Sequence, residues 1–285
     1  MKQEFIACRL CGGTSRYIFS KTLLGHVDVG YYGCDACHSQ QTEAPYWLDE
    51  AYAIEGVHID VGSGSRTIKN WLGASVLLDE LGCDRQSVSV DFGAATGLFA
   101  RLMRDVGYNF HSYDKYSLPS FTNYFLLSEN DLSKAKVITC FEVFEHLPEP
   151  AETLKQILLA DADFILFTTW FCDNQDEDWI YYLPECGQHV FFYSQSAMRD
   201  FAARFGYEMT LSHFFMILSK KDRTSAHQSA AINEFSLSSL AQVSARTERT
   251  VGSVIMGNTH IESDLAAARK RFEAERLALK PVAKI

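Results

Sequence analysis

Four clusters of side chains in this 285-residue sequence are spaced for chemistry. The first is a pair of Cys-x-x-Cys knuckles, Cys8 with Cys11 and Cys34 with Cys37. Each offers two thiolates, and together they predict one tetrahedral Zn2+ site. Four thiolates leave no open coordination position, so such a site is structural. Metal binding would then supply the folding free energy that a short segment lacks. His26 and His38 are substitute ligands that four cysteines do not require, and the competing reading is four free thiols in an ordinary loop.

The second cluster is Val88-Ser89-Val90-Asp91-Phe92-Gly93-Ala94-Ala95-Thr96-Gly97-Leu98-Phe99, an apolar run that enters a glycine-bearing turn and then a helical stretch. Gly93 and Gly97 permit close backbone approach, and the start of the following helix favours a polar or anionic ligand group. Asp114 stands about 20 residues further on, at the end of the next apolar run, where a carboxylate accepts both hydroxyls of a ribose. A nicotinamide dinucleotide is the competing occupant, but Ala95 stands where that fingerprint has a third glycine, and the downstream sequence fits it poorly.

The third cluster, Phe141-Glu142-Val143-Phe144-Glu145-His146-Leu147-Pro148, sets two carboxylates and an imidazole directly after the run Val137 to Phe141. Ligands gather at such strand ends, although the same groups also cap helices. The fourth is Gly187-Gln188-His189-Val190-Phe191-Phe192-Tyr193-Ser194-Gln195-Ser196, a loop before a helix capped by Ser194 or Ser196. His146 titrates near neutral pH and has Glu145 beside it, which makes it the first candidate for a general base, with His189 second. Aromatic residues from Trp170 to Tyr193 suit either a pocket wall or a core.

Alternating apolar runs and helical stretches position these groups and predict an α/β fold with a parallel sheet. The expected strands are Ser87 to Phe92, Phe110 to Tyr113, Val137 to Phe141 and Phe164 to Thr168. Helices are expected at Leu98 to Val106, Pro150 to Leu159 and Gln195 to Phe205. Tyr207 to Ser212 and Phe214 to Ser219 read as adjacent strands turning at His213. Four parts follow: a zinc-binding segment (1–45), a helical connector or lid (46–82) with a Gly/Ser break at Val61 to Ser65, the α/β domain (83–220) and a helical extension (221–285). In the last, Leu265, Ala268, Phe272 and Leu279 share a helix face that packs on the core or on a second copy of the chain. Cys83, Cys140, Cys172 and Cys186 are scattered and read as small core hydrophobes.

Composition narrows the function. A hydrophobic share of 47% supports a sizeable core, and a formal net charge of −10 argues against a broad nucleic-acid surface. No apolar run reaches the roughly 20 residues that cross a bilayer, and the first residues lack a signal-like pattern, so a cytoplasmic protein is expected.

With these motifs in view, the sequence resembles class I methyltransferases of the methyltransferase 23 type, often associated with surface-polysaccharide and sugar biosynthesis. The matching stretches are Pro45 to Tyr52, Asp91 to Leu98, Tyr113 to Tyr116, Phe141 to His146 and Gly187 to Ser194. The four-cysteine start looks like the zinc-binding segment of sugar C-methyltransferases. The resemblance implies a Rossmann-like seven-stranded sheet closed by an antiparallel hairpin. It also implies S-adenosylmethionine at Asp91, Gly93, Ala94, Ala95, Gly97, Asp114, Lys115, Phe141 and Glu142, with catalysis by His146, Glu145 and His189. The expected acceptor is a hydroxyl, or less readily a carbon, of a sugar, nucleotide sugar or glycan. A small metabolite or natural product is the alternative acceptor, and a non-catalytic zinc-ribbon interaction module the alternative role. Ala95, where many members have glycine, narrows the turn.

Overall fold

The computed structural model describes residues 2–53, 61–247, 252 and 260–278. Strands β5 (Ser89–Phe92), β6 (Phe110–Tyr113), β7 (Val137–Phe141) and β8 (Phe164–Thr168) are parallel. The hairpin β10 (Tyr207–Leu211) and β11 (Met216–Lys220) closes antiparallel onto β8, giving the order β10-β11-β8-β7-β5-β6. Three of the parallel strands read as continuous apolar runs because apolar side chains cover both faces of the sheet. On one side lie α4 (Pro150–Leu159) and α5 (Gln195–Ala203), the latter capped by Ser194, whose hydroxyl accepts from Ala197 N at 3.0 Å. On the other lie α3 (Leu98–Asp105) and α2 (Ser63–Glu80). The expected Gly/Ser break at Val61 to Ser65 is therefore mostly the first turn of α2. The chain leaves β5 towards β6 on one side and reaches β7 on the other, so the carboxyl ends of β5 and β7 flank a topological switch point, where such sheets bind ligands.

Among the described residues this sheet has six strands, not the expected seven. The edge beyond β6 carries only a single parallel bridge, Ser112 to Leu126. Ser112 N donates to Phe125 O and Leu127 N to Ser112 O, but turns at Pro119–Phe125 and a 3-10 helix at Glu129–Lys134 take up the chain on either side. A seventh strand has no length left in which to form.

The N-terminal segment builds a second, antiparallel sheet, β1 (Phe5–Ala7), β2 (Thr14–Leu23), β3 (Val27–Cys34) and β4 (Gln40–Thr42), whose last member is β9 (Phe191–Phe192) from far along the chain. The segment is too short for its own core, and β9 supplies one. Tyr31, Trp47, Tyr182, Val190 and Phe192 bury one another there, with α1 (Leu48–Ala53) alongside. Arg9 sews the seam: its Nη1 donates to Pro148 O, and its Nη2 to Thr42 O and, at 2.5 Å, to Val190 O.

After β11 come α6 (Ala226–Leu237), α7 (Leu240–Ala245) and α8 (Ile261–Ala278). Of the apolar face expected on α8, only the side chains of Leu265 and Ala268 lie among the described residues, Ala268 partly buried. Leu265 is half exposed, and the side chain of Phe272 and the whole of Leu279 lie outside the described residues. Asp264 is the buried contact. Its carboxylate accepts from Arg104 Nη2 at 2.5 Å, Arg104 Nε at 2.6 Å and Arg101 Nη1 at 2.8 Å. Asp264 is desolvated, yet the two guanidiniums hold its carboxyl below the ordinary range. Removing one member of a buried pair leaves the other charge uncompensated, which costs roughly 3–5 kcal/mol unless water reaches it. Asp264→Ala should therefore undock α8, lower the melting temperature and abolish hydrogen-exchange protection in residues 261–278. Unchanged protection in that helix would show that apolar contacts hold it instead.

Candidate active site

A cavity of about 590 Å3 opens at the switch point. Its floor is the turn after β5, one wall is the segment after β7, and the loop between β8 and β9 brings Trp170, Tyr181, Gln188 and His189. The amino-terminal half of α2 adds Ser63, Arg66, Thr67 and Asn70. These α2 residues carry no motif, and only their place over the switch point marks them.

In the glycine turn, Gly93 (φ +73°) and Gly97 (φ +77°) take left-handed backbone. What presses on them is protein: a Cβ on Gly93 would stand 2.6 Å from Val143 Cγ2, and one on Gly97 2.2 Å from Thr122 Oγ1. Packing alone therefore bars a side chain at both positions, in addition to any demand a ligand makes there. Ala95 (φ +46°) faces the cavity in a backbone conformation that costs a side-chain-bearing residue about 1–2 kcal/mol. Asp91, Gly93, Ala94, Ala95, Phe141 and Glu142 all line the cavity, together with Thr96, Leu98 and Phe99, which sequence reasoning missed. Gly97, Asp114 and Lys115 do not line it. The Asp114 carboxylate accepts from the N–H groups of Ala95, Tyr116 and Ser117, and so braces the turn. Lys115 is exposed, with its ammonium 5.5 Å from the Tyr116 ring.

His146 and His189 also line the cavity, with Glu145 buried beside them. Glu145 is fully buried, and neither carboxylate oxygen has a hydrogen bond among the described residues; the hydroxyls of Thr169 and Tyr181 are likewise buried without one. Burial pushes the Glu145 carboxyl up to about 7, against the pull of its own backbone N–H, of Tyr181 and Thr169, and of Arg66. His146 Nε2 lies 4.0 Å from Glu145 Oε1, and the His146 and His189 rings meet edge to face at 4.8 Å. His146 Nδ1 bonds Gln188 O at 3.2 Å, and His189 Nδ1 bonds Tyr181 O at 2.7 Å. A carbonyl only accepts, so both rings carry hydrogen on Nδ1 and keep a lone pair on Nε2. Burial lowers both imidazole pKa values, that of His189 to about 3, so both are neutral at neutral pH. The structure thus brings together all three residues expected to act on the acceptor.

At the far end of the N-terminal sheet the four knuckle cysteines also converge. Cys8 Sγ and Cys37 Sγ stand 3.7 Å apart, Cys11 Sγ and Cys34 Sγ 3.6 Å, and all four sulfurs lie within 4.8 Å of one another. Four sulfurs about 2.3 Å from one tetrahedral ion would be about 3.8 Å apart. Gly13 N and Cys37 N point at the sulfurs of Cys11 and Cys34. His26 is elsewhere, paired with Glu50 at 3.1 Å. Of the other cysteines, Cys140 and Cys172 are buried, whereas Cys83 and Cys186 are partly exposed.

A family model described as a methyltransferase domain matches residues 57–212, more than half of the chain. The chain belongs to this methyltransferase family. It is an S-adenosylmethionine-dependent methyltransferase. No curated protein matches the methyltransferase chain at a significant level. Among solved structures it is similar to magnesium protoporphyrin IX methyltransferase from Synechocystis PCC 6803 with bound SAH (12% identity, TM-score 0.39, covering 61% of this chain and 94% of that one). It is also similar to 1,6-didemethyltoxoflavin-N1-methyltransferase from Burkholderia thailandensis with its substrate and S-adenosylhomocysteine (12% identity, TM-score 0.43, covering 73% and 99%). At such identities the likeness is one of fold.

The methyltransferase's cavity floor holds a second buried carboxyl with a pH signature. Burial pushes Asp91 from 3.8 up to about 7; the Thr139 hydroxyl, 2.7 Å from its Oδ1, opposes this and Asp114 adds to it. Because the folded value is the higher one, the stability contributed by the protonated carboxyl is complete below pH 3.8. It declines as the unfolded chain ionises and is gone above about 7. Ligand-free Asp91→Asn should accordingly melt several degrees above the parent protein at pH 8, with the gap narrowing towards pH 5. A variant that melts lower at pH 8 would mean that a cationic partner already neutralises Asp91.

Proposed function

We propose that this methyltransferase moves the S-adenosylmethionine methyl group to a hydroxyl of a sugar, nucleotide sugar or glycan. The carrying observation is that His146 and His189, backed by the buried Glu145, share one cavity with the glycine turn. In this reading the cofactor lies along Asp91, Gly93, Ala94, Ala95, Phe141 and Glu142, with Gly97 shaping the turn. The ribose diol reaches towards Asp114 and Lys115. S-adenosylmethionine carries positive charge on its sulfonium and ammonium groups, and the buried Asp91 carboxyl is a fitting partner for that end.

Methyl transfer is an in-line displacement at the methyl carbon with sulfur as the leaving group, so the acceptor must be held opposite the S–CH3 bond and a neutral hydroxyl must lose its proton. The cluster offers neutral imidazole lone pairs for that purpose. In the simplest form His146 takes the proton directly. Beside it, the half-exposed Trp170 indole stacks on Tyr181 with ring centroids 5.1 Å apart and planes within 7°. This flat apolar surface suits the C–H face of a sugar ring and supports the carbohydrate reading.

The four-cysteine cluster is read as a structural Zn2+ site, since its sulfur spacing fits a single tetrahedral ion. Metal analysis of protein purified without chelator should find one zinc per chain at this site, lost in Cys34→Ser; a zinc-free, folded protein would overturn the assignment.

His146→Ala should lower turnover roughly 10²–10⁴-fold while leaving S-adenosylhomocysteine affinity nearly unchanged. The acceptor is tested by incubating the protein and S-adenosylmethionine with panels of nucleotide sugars, glycans, phenols and amines. Methylation confined to the last two panels would overturn the carbohydrate reading.

A further inference from the structure

The Glu145, His146 and His189 cluster has features that proton uptake alone does not need. One ligand atom from each side chain lies within 4.8 Å of the others, with His146 Nε2 and Glu145 Oε1 at 4.0 Å. Atoms that each sit about 2.0–2.2 Å from one tetrahedral ion stand about 3.4 Å apart, so the three side chains must close by roughly 0.5–1.5 Å to share a centre. Both imidazoles donate Nδ1–H to backbone carbonyls, of Gln188 and Tyr181. In metal sites this outer bond fixes the tautomer and leaves Nε2 for the ion. Glu145 supplies the independent sign. Its carboxylate is 0% exposed, with no hydrogen bond made to either oxygen among the described residues and only its own N–H, the Tyr181 and Thr169 hydroxyls and Arg66 nearby to offset the charge. A buried carboxylate in that state is costly until a proton or a cation neutralises it. His146 and His189 line the cavity with Glu145 buried behind them, and three protein ligands leave coordination positions open on the cavity side, as a catalytic rather than a structural ion requires.

We infer that Glu145, His146 and His189 hold a divalent cation at the acceptor end of the cavity, and that the acceptor hydroxyl binds to it. This rests on the reading that the acceptor enters beside the cluster. Two imidazoles and a carboxylate suit first-row ions such as Mn2+, Fe2+ and Zn2+. The ion takes over from direct proton uptake by His146. It acidifies the bound hydroxyl, whose proton passes to water in the open cavity. The oxygen's electron pair then forms the new O–CH3 bond as the S–CH3 bond breaks, and the pair from that bond returns to sulfur, turning the sulfonium into a thioether.

The test uses the full chain and Mn2+ alone, because the thiolates of the N-terminal cluster favour softer ions. Electron paramagnetic resonance of free Mn2+ should report one ion bound per chain. Binding should weaken at least about tenfold in Glu145→Gln and in His189→Gln, while both variants keep their melting temperature and S-adenosylhomocysteine affinity. Turnover on any accepted hydroxyl should fall on chelation and return with Mn2+. No binding by the parent protein, or equal binding by both variants, overturns the inference. Loss of turnover in His146→Ala without Mn2+ binding would return the proton to His146 directly and leave the proposed reaction intact. Mn2+ binding without methylation of any carbohydrate would keep the ion site and refute the acceptor.

Discussion

The peptide group of Val190 is the contact on which the rest of the site depends. Its N–H donates to Glu145 O at 2.8 Å, while its carbonyl accepts from Thr42 N at 3.1 Å, Thr42 Oγ1 at 3.2 Å and Arg9 Nη2 at 2.5 Å. One residue therefore joins the segment after β7 to the N-terminal sheet. Its neighbours take opposite roles, His189 lining the cavity and Phe191 pairing with Gln41 in the sheet. Arg9 is largely desolvated, which lowers its pKa to about 10, so it remains charged at neutral pH and holds three carbonyls at once. Since Arg9 sits between Cys8 and Cys11, the order of the knuckle bears on the position of His189. Trp47 Nε1 to Gly187 O and Gln188 Nε2 to Ala51 O fasten the same loop from the other direction.

Some unfavourable conformations lie where the chemistry is proposed, and others, at Leu24, His38, Asp161 and Asn174, do not. Ala95 and Glu142 both adopt left-handed backbone, and both line the cavity. Glu145, Thr169 and Tyr181 contribute buried polar atoms without hydrogen bonds among the described residues. Elsewhere, buried polar groups such as Gln41 and Arg104 have several partners each. Strain and unpaired buried atoms at a cavity are what a functional site shows, where a bound group completes what the chain leaves unsatisfied, though Tyr31 and His111 bury unpaired atoms elsewhere.

Much of this was legible in the sequence because the parallel sheet writes itself in apolar runs. Strands β6, β7 and β8 and helix α4 have the bounds read from the sequence, since Gly, Pro and charged residues punctuate them. Residues placed just past a strand end, such as Glu145 and His146, were visible because topology alone sends them to the switch point. The pairing of β4 with β9 was not visible. Its two partner pairs lie some 150 residues apart and leave no periodicity in either segment. The Asp264 contact of α8 was hidden for a related reason: one buried carboxylate facing two guanidiniums leaves no periodic signal.

The glycine turn shows how a correct motif can be reached by an incomplete argument. Gly93 and Gly97 belong where a ligand turn would have them, but the atoms that forbid a side chain there are those of Val143, Thr122 and Pro119. Val143 lies in the same segment as Glu142 and Glu145. Closeness at Gly93 therefore sets the distance between the cofactor turn and the acceptor cluster. The two halves of the proposed reaction site are held against each other by the absence of one methyl group, and the cavity that opens between them is the space left over by that contact.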